Sequence, residues 1–363
     1  MTEKQAFSVV RDHCDDVSHI IWDVDGPIVF RDKPDFDVLR FIAKLAKAEI
    51  FQSFISGRDA SWLVKNLINP LKEVFPGFHQ YTRYFSVYPE LGTITFDLLS
   101  GERIINPSLE NHPLTRFDIR TALSMLALKT FMLGKYQPGT KIRSNCRIGG
   151  DAEGNLYLIP KKINVLLPFL IWSSTKSVIG TYEVLRDEHG DVPNLEMGEI
   201  VKVIMAKIKE LGLEGKVSIA PTRTAIDIAP IVNSNALNKD VAGGLAISQV
   251  REKTTSDYSL IDITGRTIAF GDGKTDFLFT LPIQQKNPGE NSRPNRIMMC
   301  FVGPVAQYEL QYEKVGLVWL KGDGAIVAGG KIGPEVTLEM LEYIWQKGCF
   351  RSLEPSPGRI PEK

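Results

Sequence analysis

Two aspartates, Asp23 and Asp25, follow the apolar run at residues 18–22 and precede Gly26. At an extended strand end their side chains point the same way, and two carboxylates facing one space repel unless a cation lies between them. Mg2+ binds carboxylate and phosphate oxygens. We interpret Asp23 as a metal ligand and as a nucleophile towards phosphorus, and Asp25 as a metal ligand and general acid and base. The alternative is a pair of Asx turns.

A second acidic pair lies in the segment Gly-Asp-Gly-Lys-Thr-Asp at residues 271–276, after an apolar run at 267–270. Asp272 could complete the set of residues that bind Mg2+. Asp276 lies one helical turn further on, where it could bind the ion directly, bind it through water, or hold one of the ligand residues. The alternatives are a calcium loop or a polar turn. The EF-hand pattern fails because its closing position carries no acid.

Two other segments carry groups that suit a phosphoryl ligand. Ser56, Gly57 and Arg58 follow an apolar run at 50–55, and a hydroxyl with backbone N–H groups near a helix start can bind phosphate oxygens. The alternative for Ser56 is a plain helix cap, and Arg58 is either a ligand contact or a solvated residue. Lys239 opens a predicted helix, where its ammonium could neutralise phosphoryl oxygens or simply face water.

Three of these segments follow strand-like runs, at 18–22, 50–55 and 267–270. Helical spacing at 38–48 and 59–68, with Asp59 as N-cap, alternates with the first strands, which favours a parallel α/β sheet. Further strands are predicted at 84–96, 297–302, 315–319 and 325–327, and a final helix at 334–347. Ligands of open α/β sheets bind beyond the carboxyl ends of the strands, so one sheet would bring Asp23, Ser56 and Asp272 together.

The middle of the chain has a different pattern. Helices at 118–133 and 195–211 alternate with strand-like runs, which indicates an α+β insert at 114–226. The core would then comprise residues 1–113 and 227–363, with a helix at 238–249 carrying Lys239. Residues 284–296 are polar and rich in Pro, Asn and Gly, which predicts a surface loop of undetermined role.

Composition limits the classes of partner. The chain has 363 residues, 43% of them apolar, with 43 basic and 43 acidic residues. A balanced charge argues against a general nucleic-acid or membrane-surface binder. No apolar run reaches the ~18–20 residues that span a bilayer. The polar N-terminus and four scattered cysteines favour a cytoplasmic protein with reduced thiols. Composition does not determine the oligomeric state.

In order, spacing and flanking strands, these segments resemble the motifs of the haloacid dehalogenase-like (HAD) phosphohydrolases. Asp23 and Asp25 match the first motif, Ser56 the second, Lys239 the third, and Asp272 with Asp276 the fourth. The insert lies where the type IIB group, which includes sugar phosphatases and phosphomannomutases, carries a large α/β cap. Ser-Gly-Arg at 56–58, residues 90–96 and residues 226–230 are also similar to that group. Pro27 departs from it, since threonine is usual there.

The resemblance implies a Rossmann-like α/β core with an inserted cap that selects the substrate. It also implies a Mg2+-dependent phosphatase that acts through an aspartyl-phosphate on a small metabolite, most simply a sugar phosphate. Arg223 and Thr224 are the cap residues that we expect to contact it. Two alternatives stay open: a sugar phosphomutase with the same intermediate, and a catalytically silent binding protein.

Overall fold

The structure is a computed structural model that describes residues 16–132, 146–150, 156–160, 170–184, 197–222, 225–232, 235–254, 258–280, 297–303, 325–327 and 333–353. Several predictions from the sequence concern residues outside these ranges. They are the cap residues Arg223 and Thr224, the loop at 284–296 and the strand at 315–319. Two of the four cysteines, Cys300 and Cys349, are described in full, and both are buried free thiols.

The described strands vary from two to eight residues in length. In chain order they are β1 (His19–Asp23), β2 (Val29–Phe30), β3 (Lys33–Pro34), β4 (Phe51–Ile55), β5 (Phe85–Tyr88), β6 (Ile94–Phe96), β7 (Arg103–Ile105), β8 (Cys146–Gly150), β9 (Leu156–Pro160), β10 (Leu170–Trp172), β11 (Gly180–Val184), β12 (Val217–Pro221), β13 (Ala225–Val232), β14 (Asn235–Ala236), β15 (Thr267–Gly271), β16 (Met298–Phe301) and β17 (Ala325–Val327).

The described α-helices are α1 (Phe36–Lys47), α2 (Ala60–Leu63), α3 (Asn69–Val74), α4 (Phe117–Met132), α5 (Met197–Glu210), α6 (Lys239–Lys253), α7 (Leu260–Gly265) and α8 (Pro334–Gln346). A π-helical segment at Val64–Ile68 joins α2 to α3. Short 3-10 helices lie at Phe78–Tyr84, Glu90–Gly92, Pro107–Leu109, Pro113–Thr115 and Lys274–Thr280.

The chain divides into two compact units. One consists of Met1–Ile104 with Asn238–Lys363, and the other is Ile105–Leu237. The insert predicted at residues 114–226 lies within the second unit.

The first unit is built on an eight-stranded sheet in the order β17-β16-β15-β1-β4-β5-β6-β7. Pairing is parallel from β17 to β5, and β6 runs antiparallel to β5. From β1 the chain first adds β4 and β5 on one side of this strand. It later returns to add β15 on the other side of β1. Ligand sites of open α/β sheets lie at such a reversal.

The central strands are buried on both faces, as parallel strands covered by helices are. Every residue of β1, β4 and β15 is buried. Helix α6 packs against β4 and β1, and helix α1 packs against α8 and α3. The predicted α/β class with a parallel, Rossmann-like core is therefore confirmed.

Most helix predictions for this unit are also confirmed. Helix α1 begins after Asp35, whose carboxylate accepts N–H bonds from the first turn. The predicted cap Asp59 accepts from the N–H groups of Ser61 and Trp62. The helix after Asp59 continues to Val74 through its π segment, beyond the predicted end at residue 68.

The second unit packs helices α4 and α5 against the sheet β10-β11-β13-β12, in which each neighbouring pair is antiparallel. Its apolar core includes Leu123, Tyr182, Ile204 and Ile226. The Tyr182 hydroxyl donates to the Leu123 carbonyl over 2.8 Å, which joins β11 to α4. This unit is thus an α+β module, as its alternating helical and strand-like patterns predict. In the described part of the chain, no helix has the length and hydropathy that a membrane span requires.

Candidate active site

Asp23, Ser56 and Asp272 lie at one edge of the central sheet. Asp23 is the last residue of β1, Ser56 follows β4, and Asp272 follows β15. Strands β4 and β15 both pair with β1 in parallel. Asp23 lies opposite Ile55 of β4, and Trp22 lies opposite Phe270 of β15. The shared register brings the three carboxyl ends together, as the sequence predicts.

Three carboxylates form one cluster at this edge. In the described part of the chain, Asp23, Asp272 and Asp276 are the one group of acidic side chains whose oxygens fit a shared cation, all lying within 4.8 Å of one another. Asp23 and Asp276 are buried, and Asp272 is partly exposed. The group does not include Asp25, whose carboxylate is bound by Arg58.

Lys239 lies between two of these carboxylates. Its ammonium is 3.0 Å from Asp23 Oδ2 and also donates to Asp276 Oδ1. Helix α6 begins at Lys239 after the N-cap Asn238, so the helix start aims the side chain at the cluster. The surface alternative for this lysine is therefore wrong, since the residue is 8% exposed.

Backbone donors fix the carboxylates. Asp23 Oδ1 accepts the N–H of Val24 over 3.0 Å. Asp276 Oδ2 accepts the N–H of Gly273 over 2.7 Å, so both of its oxygens are used by the chain. Hydrogen bonds of this kind hold each carboxylate in a single orientation.

Glycines permit the close approach of the two motifs. Gly26 has φ +110, and a Cβ at this position would collide with the Asp272 carboxylate. A Cβ at Gly271 would collide with the side chain of Asp276. Glycine therefore suits both positions, because a larger residue would displace the carboxylate of Asp272 or the side chain of Asp276 from the cluster.

The cluster contains more negative than positive charge. Burial, followed by the charge of Asp276, raises the pKa of Asp23 well above its usual range. The same two causes raise the pKa of Asp272 to about 7. Burial alone would lower the pKa of Lys239, but Asp23 and Asp276 outweigh it and the pKa is raised. Three acids facing one ammonium favour a further cation.

The Ser56–Arg58 segment lies beside the cluster. Ser56 is buried, and its Oγ accepts the N–H of Arg58 over 3.0 Å. The Arg58 guanidinium donates to Asp25 Oδ2 through Nε and Nη2. The predicted phosphate-binding residues therefore lie at the same sheet edge as the acids, and Arg58 makes a contact that the sequence analysis did not anticipate.

Two residues near the site were not identified from the sequence. The Trp62 ring faces the Arg58 guanidinium at 5.1 Å, and its indole N–H donates to Asp32 Oδ1 over 3.1 Å. Asp32 is separated from Trp62 by 30 positions. Neither residue belongs to a recognisable motif, so the contact depends on tertiary structure alone.

The second unit contains a different charged cluster. Lys176 is buried and donates to Thr181 Oγ1 over 2.7 Å, and its ammonium lies 3.6 Å from Asp227 Oδ1. The Thr181 hydroxyl donates to the same Asp227 oxygen over 2.6 Å. Here one carboxylate, of Asp227, and one ammonium, of Lys176, are joined through the Thr181 hydroxyl. This cluster therefore lacks the excess of carboxylates found at the sheet edge.

Comparison with known proteins gives a likeness in structure. No protein-family model matches the chain, and no curated protein matches it in sequence. The C-terminal domain of C. albicans trehalose-6-phosphate phosphatase is similar at a TM-score of 0.50 and 13% identity, over 96% of this chain and 97% of that one.

Two further solved structures are similar at lower TM-scores. Plasmodium falciparum IMP-nucleotidase has a TM-score of 0.48 and 10% identity, over 97% of this chain and 67% of that one. A haloacid dehalogenase-like hydrolase from Bacteroides thetaiotaomicron has a TM-score of 0.44 and 12% identity, over 82% and 99%. At such identities a likeness concerns the fold alone. The C. albicans domain, at a TM-score of 0.50, supports the predicted α/β fold, and membership of the HAD phosphohydrolases stays a prediction from the motifs.

Proposed function

We propose, from the HAD-like fold together with the acidic cluster at its sheet edge, that this chain is a phosphatase of the HAD superfamily. Its substrate would be a small phosphorylated metabolite, and a sugar phosphate is our specific proposal. The observation that carries the proposal is the grouping of Asp23, Asp272 and Asp276 around Lys239, beyond the strands that flank the reversal in the sheet. Fold alone would not establish an activity, but this site supports one.

The donor set fits a divalent cation. Three carboxylates with oxygens within 4.8 Å match the all-oxygen coordination that Mg2+ prefers. Asp23, Asp272 and Asp276 would hold the ion, and a ligand role for Asp25 stays a prediction. Bound Mg2+ would neutralise charge on the phosphoryl oxygens and on the surrounding carboxylates.

The proposed reaction uses the chain's own groups in two steps. An oxygen of Asp23 attacks phosphorus as the bond to the leaving oxygen breaks, and Asp25 gives its proton to that oxygen. The product is an aspartyl-phosphate on Asp23. Asp25 then takes a proton from water, the water oxygen bonds to phosphorus, and the bond to Asp23 breaks. Inorganic phosphate leaves and both aspartates are regenerated.

Lys239 and the Ser56 segment would support these steps. The Lys239 ammonium lies 3.0 Å from Asp23 Oδ2, where it can orient the nucleophile and offset charge developing on the phosphoryl group. The Ser56 hydroxyl and the N–H groups of the following loop would contact phosphate oxygens. We also propose that the second unit is the cap that selects the substrate, with Arg223 and Thr224 as its contacts, and that the protein is cytoplasmic.

A phosphate-release screen over sugar and polyol phosphates tests the proposal. With Mg2+ and no bisphosphate activator, we expect release of free phosphate, which a mutase would not give. EDTA should stop the release and added Mg2+ should restore it. A silent binding protein would release none from any compound.

Asp23→Asn tests the nucleophile. We expect turnover to fall below detection, because the amide is a poor nucleophile and a poor metal ligand. Asp16→Asn is the matched control, since Asp16 lies before the other end of β1 and its nearest ion pair, to Arg266, is 3.7 Å long. The control should keep full activity. Near-normal turnover by Asp23→Asn would remove Asp23 as the nucleophile.

A further inference from the structure

Arg58 binds one oxygen of Asp25. Its Nε donates to Asp25 Oδ2 over 3.0 Å, and its Nη2 donates to the same oxygen over 2.8 Å. Because both N–H groups converge on Oδ2, this contact leaves Oδ1 outside the pair. The carboxylate is thereby turned with a defined oxygen away from the guanidinium.

The far side of the Arg58 side chain is fixed as well. The centre of the guanidinium lies 5.1 Å from the Trp62 ring centroid, and Trp62 Nε1 donates to Asp32 Oδ1 over 3.1 Å. Asp32 lies in the turn between β2 and β3, with φ +59. A continuous series of contacts thus runs from this hairpin through Trp62 and Arg58 to Asp25.

The backbone of Arg58 is held by a strained turn. The Glu90 N–H donates to the Arg58 carbonyl over 2.9 Å, and the Leu91 N–H donates to the Ser56 carbonyl over 2.9 Å. Glu90 and Leu91 have φ of +50 and +56. Such conformations are uncommon for residues with side chains and persist where surrounding contacts impose them. The Ser56–Arg58 loop is therefore a fixed element.

Stability does not account for this arrangement. The side chains of Arg58 and Asp25 are each 39% exposed. An ion pair in contact with water contributes about 0–1 kcal/mol. Stacking and two converging N–H bonds instead define the direction of the Asp25 carboxylate, and an arginine provides this geometry better than a lysine.

We propose that Arg58 is a positioning residue for Asp25, held in place by Trp62 and the β2–β3 hairpin. The inference rests on the proposed phosphatase function. When the proton of Asp25 passes from Oδ1 to the leaving oxygen, the bond from that oxygen to phosphorus breaks and Asp25 becomes a carboxylate. Arg58 stabilises the charge at Oδ2 and keeps Oδ1 directed at the reacting group.

Two aryl phosphates distinguish positioning of the acid from other roles. Phenyl phosphate has a poor leaving group that needs a proton, whereas p-nitrophenyl phosphate has a good leaving group that does not. We expect Arg58→Ala to lower kcat/KM for phenyl phosphate by about tenfold or more, a share of the ~10²–10⁴ that general acid catalysis supplies. The loss for p-nitrophenyl phosphate should be much smaller.

Graded variants sharpen the test. Arg58→Lys keeps the charge and should recover part of the phenyl phosphate activity. Trp62→Phe keeps a ring but loses the hydrogen bond to Asp32. It should lower kcat/KM for phenyl phosphate more than for p-nitrophenyl phosphate, but by less than Arg58→Ala does. Arg40→Ala removes an exposed arginine that pairs with Asp37 and should change neither rate. Thermal unfolding of each variant should stay close to that of the wild type.

The outcomes separate this inference from the function on which it rests. A wild-type protein that, with Mg2+, releases phosphate neither from the two aryl phosphates nor from any sugar or polyol phosphate of the screen overturns the proposed function. An active wild type in which Arg58→Ala loses the same factor on both compounds overturns the positioning role and assigns Arg58 to the phosphoryl group. Unchanged rates on both compounds also overturn it.

Discussion

The two ends of the central strands β4, β1 and β15 carry opposite kinds of polar cluster. At the carboxyl ends, three acids lie together with one lysine that pairs with two of them, and the charges do not balance. At the amino ends, the buried side chains of His19 and Thr267, the first residues of β1 and β15, form a neutral network with Ser53 from the middle of β4. The strand register places Asp23 and Asp272 beside each other, whereas Lys239 and Asp276 reach the acidic cluster from helix α6 and from the 3-10 helix at Lys274–Thr280.

Every polar group of the neutral cluster that the structure describes has a partner. The Thr267 hydroxyl donates to the Ile263 carbonyl over 2.7 Å, so His19 Nδ1 must donate to Thr267 Oγ1 over 3.1 Å. His19 Nε2 then accepts from the Ser53 hydroxyl over 2.9 Å. This pattern assigns one tautomer to His19. The network needs no ligand and joins three strands.

The pKa directions show the same contrast. Burial, with a smaller effect of Lys253, lowers the pKa of His19 to about 3, so the ring stays neutral. Burial and neighbouring acids raise the pKa of Asp23 and Asp272, because the cluster has an excess of carboxylates. The neutral end is complete by itself, whereas the acidic end favours a cation. That difference separates a structural cluster from one suited to chemistry.

Lys239→Met should have the largest effect on this contrast. Removing the cation next to Asp23 should lower kcat by about 10²–10³, the range seen when a group that stabilises transition-state charge is lost. Steady-state phosphate release on the substrate found in the screen measures it.

Lys253→Met is the matched control for that variant. Lys253 ends helix α6, which Lys239 begins, and its ammonium donates to the Phe85 carbonyl and Ser86 Oγ. We expect kcat within about threefold of the wild type, because this lysine contacts none of the acids; such a change is below 1 kcal/mol. Equal losses in the two variants would contradict the distinction between the ends.

His19→Gln should change the pH dependence of stability. In the unfolded chain His19 takes a proton near pH 6.5, but the folded ring does so near pH 3. The unfolded state therefore binds more protons between these values, and stability falls as the pH falls. From pH 7 to pH 5 this one group removes about 2 kcal/mol.

Urea unfolding at pH 7, 6 and 5 measures that loss. The variant should lose less stability than the wild type over this range by about the same 2 kcal/mol, since glutamine does not titrate. The turnover of the folded His19→Gln protein at pH 7, without urea, should stay near that of the wild type. A variant with the same pH dependence as the wild type would show that His19 is not the responsible group.

Thr267→Val should weaken the neutral network without changing its charge. It removes the acceptor of His19 Nδ1 and leaves that buried N–H unpaired at a cost of about 1–3 kcal/mol, whereas the Ile263 carbonyl keeps its bond from the Arg266 N–H. The urea midpoint at pH 7 measures the change. Thr82→Val is the control, because the Thr82 hydroxyl makes an exposed bond to the His79 carbonyl, and it should alter the midpoint little. A smaller loss for Thr267→Val than for the control would contradict the role of the network.

The fold was predictable to a large extent because its signals are local. Mostly apolar, strand-like runs predicted β1, β4 and β15, and the cap residue Asp59 predicted a helix start that the structure confirms. The helix end after Asp59 was not predicted, because a π segment continues through residues that carry no stop signal. The strand-rich stretch predicted at 84–96 contains β5 and β6, which a short 3-10 helix at Glu90–Gly92 separates.

The sequence by itself determined the acids, the lysine and the strands that end beside them, because strand periodicity and motif spacing are properties of neighbouring residues. It did not determine that Arg58 binds Asp25, that Trp62 contacts both Arg58 and Asp32, or that His19 joins three strands. Except for the contact of Trp62 with Arg58 four positions earlier, those contacts connect positions 30 or more residues apart, and no local pattern encodes them. Only the packing of the sheet and its loops decides which side chains meet.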